Sequence, residues 1–518
     1  MNGPVTQAHA QAEAQDRGRR VDADFGDLPL AASADAALDR ARSLGASHAD
    51  LRVQRMRHAD LSVRDGALSS AVDDSDLGLG VRVLVDGVWG FAGIGEVGPD
   101  AAAAAAQEAV ELARVCAPLV TAGVELADEP VHAGVEWVGP YRLDPFSVEQ
   151  SDRAALLQSW SAPLLASRAV THVDARLRLV KEQKFYADLA GTTTLQQRVL
   201  VEPILTVVAV PDDGSGSQTM RTLGPPSASG WEYLLGEGWD WAADLAELPD
   251  LVAERVAAPS VEPGRYDLVI APSNLWLTIH ESVGHATELD RALGYEAAYA
   301  GTSFATVDRL GTFRYGSELM NVRGDRTAEH GCATLAYDDE GVATTAWDII
   351  SRGILVGYQL DRRMAREQGL GRSNGCAYAD CAARVPVQRM ANVSLQPLPA
   401  GPSLEDLVAG VERGLLVVGD KSWSIDMQRY NFQFTAQRFY RIVGGRLAGQ
   451  VKDAAYQGST LSFWASLAAV GGPRSYEVHA ASNCGKAQPG QGAWVSHGAP
   501  ATLFTGVNVL NTLQEGSR

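Results

Sequence analysis

Tyr266-Asp-Leu-Val-Ile-Ala-Pro-Ser-Asn-Leu-Trp-Leu-Thr-Ile-His-Glu-Ser-Val-Gly-His285 is the stretch on which the reading of this chain turns. Tyr266–Ile270 has the length and apolar content of a short strand. Pro272 suits the first turn of a helix, because its missing N–H would be unsatisfied there anyway. The helix that follows carries His280, Glu281 and His285 in the pattern HExxxH, one residue longer than the HExxH of zinc proteases. In an ideal helix, residues five apart diverge by about 140° and residues four apart by about 40°. His280 and His285 therefore cannot chelate one ion from a regular helix. A local π-type turn would return them to one face, and Gly284 tolerates such irregularity. A regular helix would instead align Glu281, His285 and Glu288 at i, i+4 and i+7, an alternative metal face. The plainer reading is a pair of hydrogen-bonded histidines on a half-buried helix. Two of ten histidines within six positions, beside an acid, move the balance toward a metal.

A catalytic zinc usually takes three protein ligands and leaves a fourth position for water. Two ligands on one helix thus demand a third from elsewhere. Cys484, in Ser482-Asn-Cys-Gly-Lys486, is the first candidate, since a nearby Lys or metal lowers a thiol pKa. Cys376 and Cys381, in a polar segment around Asp380, are the rival thiols. Glu288 and Asp290 could hydrogen-bond the metal histidines or be solvated helix-end acids. Arg389, Asn392, Asp426 and Arg438 read as structural polar residues, and His479 as a satisfied sheet histidine. Trp423, Tyr430, Phe432, Phe434, Phe439 and Tyr440 read as core and interface.

Outward from this centre, the chain of 518 residues is too long for one ordinary domain. A disordered tail is expected over 1–32 and an α+β domain over 33–124. Ser33 would cap a helix to about Leu44, and hairpin turns are expected at Asp65-Gly66 and Asp86-Gly87. A middle α+β domain spans 125–256, with Ser147 and Gln150 resembling a capping box. Pro/Gly/Ser-rich residues 257–264 are a linker. Residues 265–518 read as a β-rich domain with a mixed or barrel-like sheet. The fold class is therefore α+β, with N-terminal α/β-type domains before a large β-rich C-terminal domain. No internal repeat suggests a solenoid.

Forty-four Lys and Arg against 63 Asp and Glu give a net charge of −19 and a pI near 5.0. So acidic a surface disfavours nucleic acid and anionic membranes as partners. Five scattered cysteines are no disulfide framework. The first residues lack the apolar stretch of a secretory signal, and no run approaches the ~18 apolar residues of a membrane span. A cytoplasmic location is expected.

With His280, Glu281, His285 and Cys484 in view, the chain resembles the TldD/PmbA family, in its TldD-type metallopeptidase branch. The segments that carry the likeness are His-Glu-Ser-Val-Gly-His-Ala-Thr-Glu-Leu-Asp (280–290) and Asn-Cys-Gly-Lys (483–486). Asp65-Gly66, Gly80-Val-Arg-Val-Leu-Val-Asp-Gly87 and Pro386-Val-Gln-Arg-Met-Ala-Asn392 support it. The resemblance implies zinc (Zn2+) held by His280, His285 and Cys484, with Glu281 as general base. It further implies a cytoplasmic peptidase acting on extended or unfolded peptides, paired with a TldE/PmbA-type subunit that lacks the metal motif.

Overall fold

The computed structural model describes residues 20–211 and 216–515. Its first layer is one seven-stranded sheet built from β1 (His48–Arg64), β2 (Ala67–Val85), β3 (Val88–Ile94), β4 (Val135–Val138), β5 (His172–Asp188), β6 (Thr193–Ala209) and β7 (Gln218–Arg221). The order is β3-β2-β1-β5-β6-β4, with β7 on β6. Asp65-Gly66 and Asp86-Gly87 make the two hairpin turns; all four residues have positive φ, as a type I′ turn requires. The strands expected in 33–124 and in 125–256 thus share one sheet. β1 pairs antiparallel with β5 from Asp50↔Asp188 to Arg64↔Asp174, across the expected boundary at 124/125.

Alternation along these long strands decides what each face meets. Leu51 and Val53 of β1 pack beneath the helices Leu30–Ser43 and Pro99–Cys116. Further along the sheet, Leu61, Leu177 and Leu205 pack with the helices Gln150–Leu165 and Trp241–Ala257. Arg52, Gln54, Glu182, Lys184 and Arg198 on the opposite face are buried against the C-terminal half. Lys184 donates to Asp339 at 2.8 Å, Arg52 to Asp339 at 3.3 Å, and Arg198 to the Cys332 carbonyl at 2.7 Å. Buried charges of this kind are tolerated only when paired and hydrogen-bonded.

Three local expectations need correction. The described part of the expected tail, residues 20–32, is ordered: Ala23–Gly26 is a helical turn and Phe25 is fully buried. Residues 1–19 lie outside the described part. The first long helix starts at Leu30 behind Pro29, leaving Ser33 buried inside it rather than capping it. Ser147 closes a short turn capped by Asp144, and the following helix begins at Gln150 behind Glu149. In both cases a proline close by sets the start of a helical turn that a capping residue alone did not reveal.

The C-terminal half contains a closed barrel of five strands. β8 (Gly264–Ile270) lies between the strands Arg413–Ile425 and Thr502–Asn511. Ala454–Ser459 and Asn431–Val443 follow, and Asn431–Val443 pairs back to Arg413–Ile425. Aromatic side chains fill its core: Phe463 stacks on Phe504 at 4.0 Å, and Trp464 meets both edge-on. Such pairs each add about 0.5–1.5 kcal/mol beyond the area they bury. The helix Pro272–Ile279 follows β8, and all eight of its residues are buried. The hairpin Glu477–Lys486 / Gln491–Ala499 packs against it. Among the described residues, no helix is long and apolar enough to cross a membrane.

Candidate metal centre

The helix Pro272–Ile279 is anchored before it reaches the histidines. Asn274 donates to the Gly419 and Thr435 carbonyls, Ser273 accepts from the Gly419 N–H, and Thr278 and Asn274 both bond the Tyr456 hydroxyl. From His280 to Gly284 the backbone widens into a π-helical turn, and the His285 N–H donates to the His280 carbonyl five residues back. Trp464 donates to Ser282 at 2.9 Å, and the Tyr315 hydroxyl donates to the Ser282 carbonyl. The extra residue brings the two imidazoles together, with ring centroids 4.6 Å apart. Gly284 sits at φ −53°, an ordinary helical value, so the turn does not need its conformational freedom. What it needs is space. A Cβ there would lie 2.6 Å from Met390 Sδ.

Cys484 arrives from the strand Glu477–Lys486, just past a register shift between Ala481 and Cys484. A bulge of this kind re-aims side chains. Arg389 donates to the Cys484 and Gln491 carbonyls and so holds the hairpin in place. Ligand atoms of His280, His285 and Cys484 all lie within 4.8 Å of one another, and all three residues are buried. No other His, Cys, Asp or Glu atom among the described residues joins the group. Cys376 is buried elsewhere, its thiol pushed up to about 12 by burial, and Cys381 is also remote from this group.

The hydrogen bonds fix which ring nitrogens are free. The Val393 carbonyl can only accept, so His497 Nδ1, 2.8 Å away, carries a proton. His497 Nε2 is then an acceptor, and His280 Nδ1–H donates to it at 2.8 Å. On the other side, His285 Nδ1–H donates to Glu288 at 2.8 Å. Each histidine is left with its Nε2 lone pair, and His285 Nε2 lies 3.8 Å from Cys484 Sγ. Burial lowers the pKa of both rings despite the nearby carboxylates, and lowers that of His497 further still, which favours the neutral, ligating form. Burial pushes the Cys484 thiol up, but His285 and Arg389 outweigh it and bring the thiol below its ordinary value. Two imidazoles and a thiol whose ligand atoms lie within 4.8 Å of one another, with His285 Nε2 and Cys484 Sγ 3.8 Å apart, offer the N and S donors that zinc prefers. The donor set fits zinc.

The alternative metal face is not assembled, because Glu281 and Glu288 leave His285 in different directions. Glu288, fully buried, also accepts from Lys486 at 3.1 Å and Arg291 at 3.3 Å. Lys486 and His285 hold its carboxyl well below the usual range against the cost of burial. Asp290 meets Lys486 at 2.7 Å and touches neither histidine. Glu281 accepts from Arg429 at 2.7 Å and lines a cleft of about 480 Å³ that also reaches His280, His285 and Cys484. Arg429 is presented by a tight turn at φ 62°, where Asp426 accepts from the N–H groups of Gln428, Tyr430 and Asn431.

Of the remaining residues singled out in the sequence, Asn392 accepts from Ala333 and Ser496, and Arg438 lies 3.9 Å from Glu247. Phe432, Phe434 and Phe439 are core, as expected, whereas Trp423 is half exposed in the cleft. His479 bonds Glu477 at 3.1 Å. His497 and Arg429 are the two residues that sequence reasoning missed. His497 faces His479 directly across the hairpin, so pairing the strands around the turn after Lys486 would have drawn attention to it.

A family profile described as the PmbA/TldA metallopeptidase C-terminal domain matches residues 263–511, and one described as PmbA/TldA metallopeptidase domain 1 matches residues 49–113. A metalloprotease of Methanothermobacter thermautotrophicus is 27% identical over 466 residues, covering 88% of this chain and 93% of the relative. A zinc metalloprotease TldD homolog of Saccharolobus solfataricus is 26% identical over 219 residues, covering 42% and 46%. The crystal structure of TldE from Thermococcus kodakarensis shares the fold with a TM-score of 0.69 at 16% identity, over 92% of this chain and 99% of that one.

Proposed function

Because this chain belongs to the PmbA/TldD metallopeptidase family, we propose that it is a zinc-dependent peptidase that hydrolyses extended or unfolded peptides. The observation that carries this is the group of three buried donors, His280, His285 and Cys484, which opens beside Glu281 into a cleft. A purely structural zinc site would use four protein ligands and have no role for that carboxylate. Zinc held by these three side chains would supply a Lewis acid that polarises a peptide carbonyl and makes water a better nucleophile at neutral pH.

The chain's own residues supply the rest. Glu281 takes the proton of the attacking water and returns it to the leaving amine. Arg429 grips Glu281 Oε2 and so leaves Oε1 as the oxygen that handles the proton. His497 and Glu288 hold the two imidazoles in the tautomer that turns Nε2 inward. Extended substrate is favoured by the strand Arg413–Ile425. β8 pairs with it only from Gly414 to Val417, and residues 421–425 have no strand partner on that side among the described residues. An added peptide strand could bond that edge through its backbone, with little side-chain selection. The chain would work in the cytoplasm with a TldE/PmbA-type partner subunit, which co-purification would reveal.

Metal analysis and peptidase assays on wild type and Glu281→Gln test the assignment. The variant should retain a full zinc complement and lose at least about 100-fold in kcat. Unimpaired turnover by Glu281→Gln would remove Glu281 from the chemistry, and a wild-type protein that binds no zinc would remove the metal.

A further inference from the structure

The cleft that contains Glu281 is lined by five cations, Arg176, Arg178, Arg221, Lys421 and Arg429, in a chain whose net charge is −19. Four of them are already paired. Arg176 holds Asp60, Arg178 meets Glu202 at 3.1 Å, Arg221 meets Asp420 at 2.5 Å, and Arg429 meets Glu281 at 2.7 Å. Lys421 has neither an ion pair nor a hydrogen bond among the described residues.

Its position is built by the backbone. Successive residues of a regular strand point to opposite faces, yet Asp420, Lys421 and Trp423 all line the cleft. The register of Arg413–Ile425 against Asn431–Val443 shifts between Asp420 and Trp423, and this irregularity interrupts the strict alternation of faces there. The Ser422 N–H and hydroxyl, both bonded to Thr435 Oγ1, hold the displaced segment. Lys421 thereby stands on the free strand edge, where a peptide added in the proposed manner would run.

We propose that Lys421 is a specificity residue that binds a carboxylate of the peptide substrate, either an acidic side chain or the C-terminal carboxylate. The inference rests on the peptidase reading for its substrate class and on the cleft geometry for its charge. Lys421 is exposed to solvent, and partial desolvation with the nearby charge of Arg255 brings its pKa down to about 8, with Asp453 opposing. A ligand carboxylate would stabilise its charge, and the adjacent Asp420 is already committed to Arg221 and Trp276.

Binding, rather than turnover, separates this proposal from the peptidase reading. Short unstructured Gly/Ala/Ser peptides, each with one Glu or its Gln counterpart at every position in turn, are prepared as free acids and as C-terminal amides. Their affinities for the full-length chain carrying Glu281→Gln are measured by fluorescence anisotropy. The expected result is a preference of about twofold to fivefold for the carboxylate form, the size of one solvent-exposed ion pair. Adding Lys421→Met should abolish that preference, and Lys421→Arg should restore most of it. Loss of the preference on amidation would identify the C-terminal carboxylate; loss on Glu to Gln exchange would identify an acidic side chain. Absence of any carboxylate preference, or its survival in Lys421→Met, overturns the proposal.

Discussion

His497 is the sharpest test of how the candidate metal centre is held. Its ring is fully buried, lies nearly parallel to Trp276 at 6.1 Å, and relays the Val393 carbonyl to His280 Nδ1 through two hydrogen bonds of 2.8 Å. His497→Phe keeps an aromatic ring beside Trp276 but removes both polar contacts. One buried N–H and one buried carbonyl are then left without partners, at about 1–3 kcal/mol each before relaxation. The His280 ring also loses the bond that fixes its tautomer. Loss of such a supporting bond typically weakens metal affinity 10- to 100-fold. His497→Gln, whose amide both donates and accepts, should recover part of this. Zinc affinity is read by competition against a chromophoric chelator, and the stability of the metal-stripped protein by urea denaturation. Zinc binding within a factor of two of wild type by folded His497→Phe would show that the His497 bond does not hold His280 in its ligating orientation.

Stability should depend on pH through two buried carboxyls of opposite sign. Glu182 is held down to about 2; burial would raise it, but Arg198 and Lys184 outweigh that cost. Its contribution is present above the unfolded value of 4.5 and is lost as pH falls toward 2, with about 1 kcal/mol gone by pH 3.5. Asp338 is pushed up to about 8 by burial and by Glu340, so its contribution is whole below pH 3.8 and is lost as pH rises through 8. Urea midpoints should therefore fall on both sides of mildly acidic pH, and in Glu182→Gln the acid limb should flatten; an unchanged acid limb in that variant counts against the Glu182 assignment. Gly284→Ala should cost about 1–2 kcal/mol, because the new Cβ meets only the flexible end of Met390. Met390→Ala in the same chain should relieve the clash itself, and a thermal-shift double-mutant cycle would detect it; strictly additive losses would mean that the contact is not the cause.

The part of the site that follows from helix geometry was legible in the sequence. Residues five apart cannot share a face of a regular helix, so the HExxxH spacing needed a π-turn if both histidines were to meet one ion, and that turn is found over His280–Gly284. The approach of Cys484 to these histidines was expected from a family likeness, since no local rule links positions 199 residues apart. His497 and Arg429 were not legible because their roles come from pairing. His497 matters through its register opposite His479, and Arg429 through a turn whose left-handed residue is not glycine. At fold level, the hairpin dipeptides located the first three strands. The single sheet stayed hidden because β1 and β5 are joined across more than a hundred residues, a separation that turn chemistry does not report.

Two glutamates flank His285, and their surroundings give them different work. Glu288 is sealed in, with one oxygen on Lys486 and the other shared by His285 and Arg291, and it does not line the cleft. It serves as a fixed negative charge that orients a ring. Glu281 has a single cationic partner and faces the cleft, which is what an acid that must gain and lose a proton requires. The wider charge pattern is consistent with this division. Arg291, Arg389, Arg429 and Lys486 surround the centre, against the carboxyls of Glu281, Glu288 and Asp290. The cations outnumber the acids by one. A thiolate at Cys484 completes the balance without importing charge from solvent, and Arg389 already draws that thiol toward ionisation. Burial of so many ionised groups would be costly anywhere else in the fold; here the pattern leaves room for one anionic and two neutral ligands, the set that a zinc ion would meet.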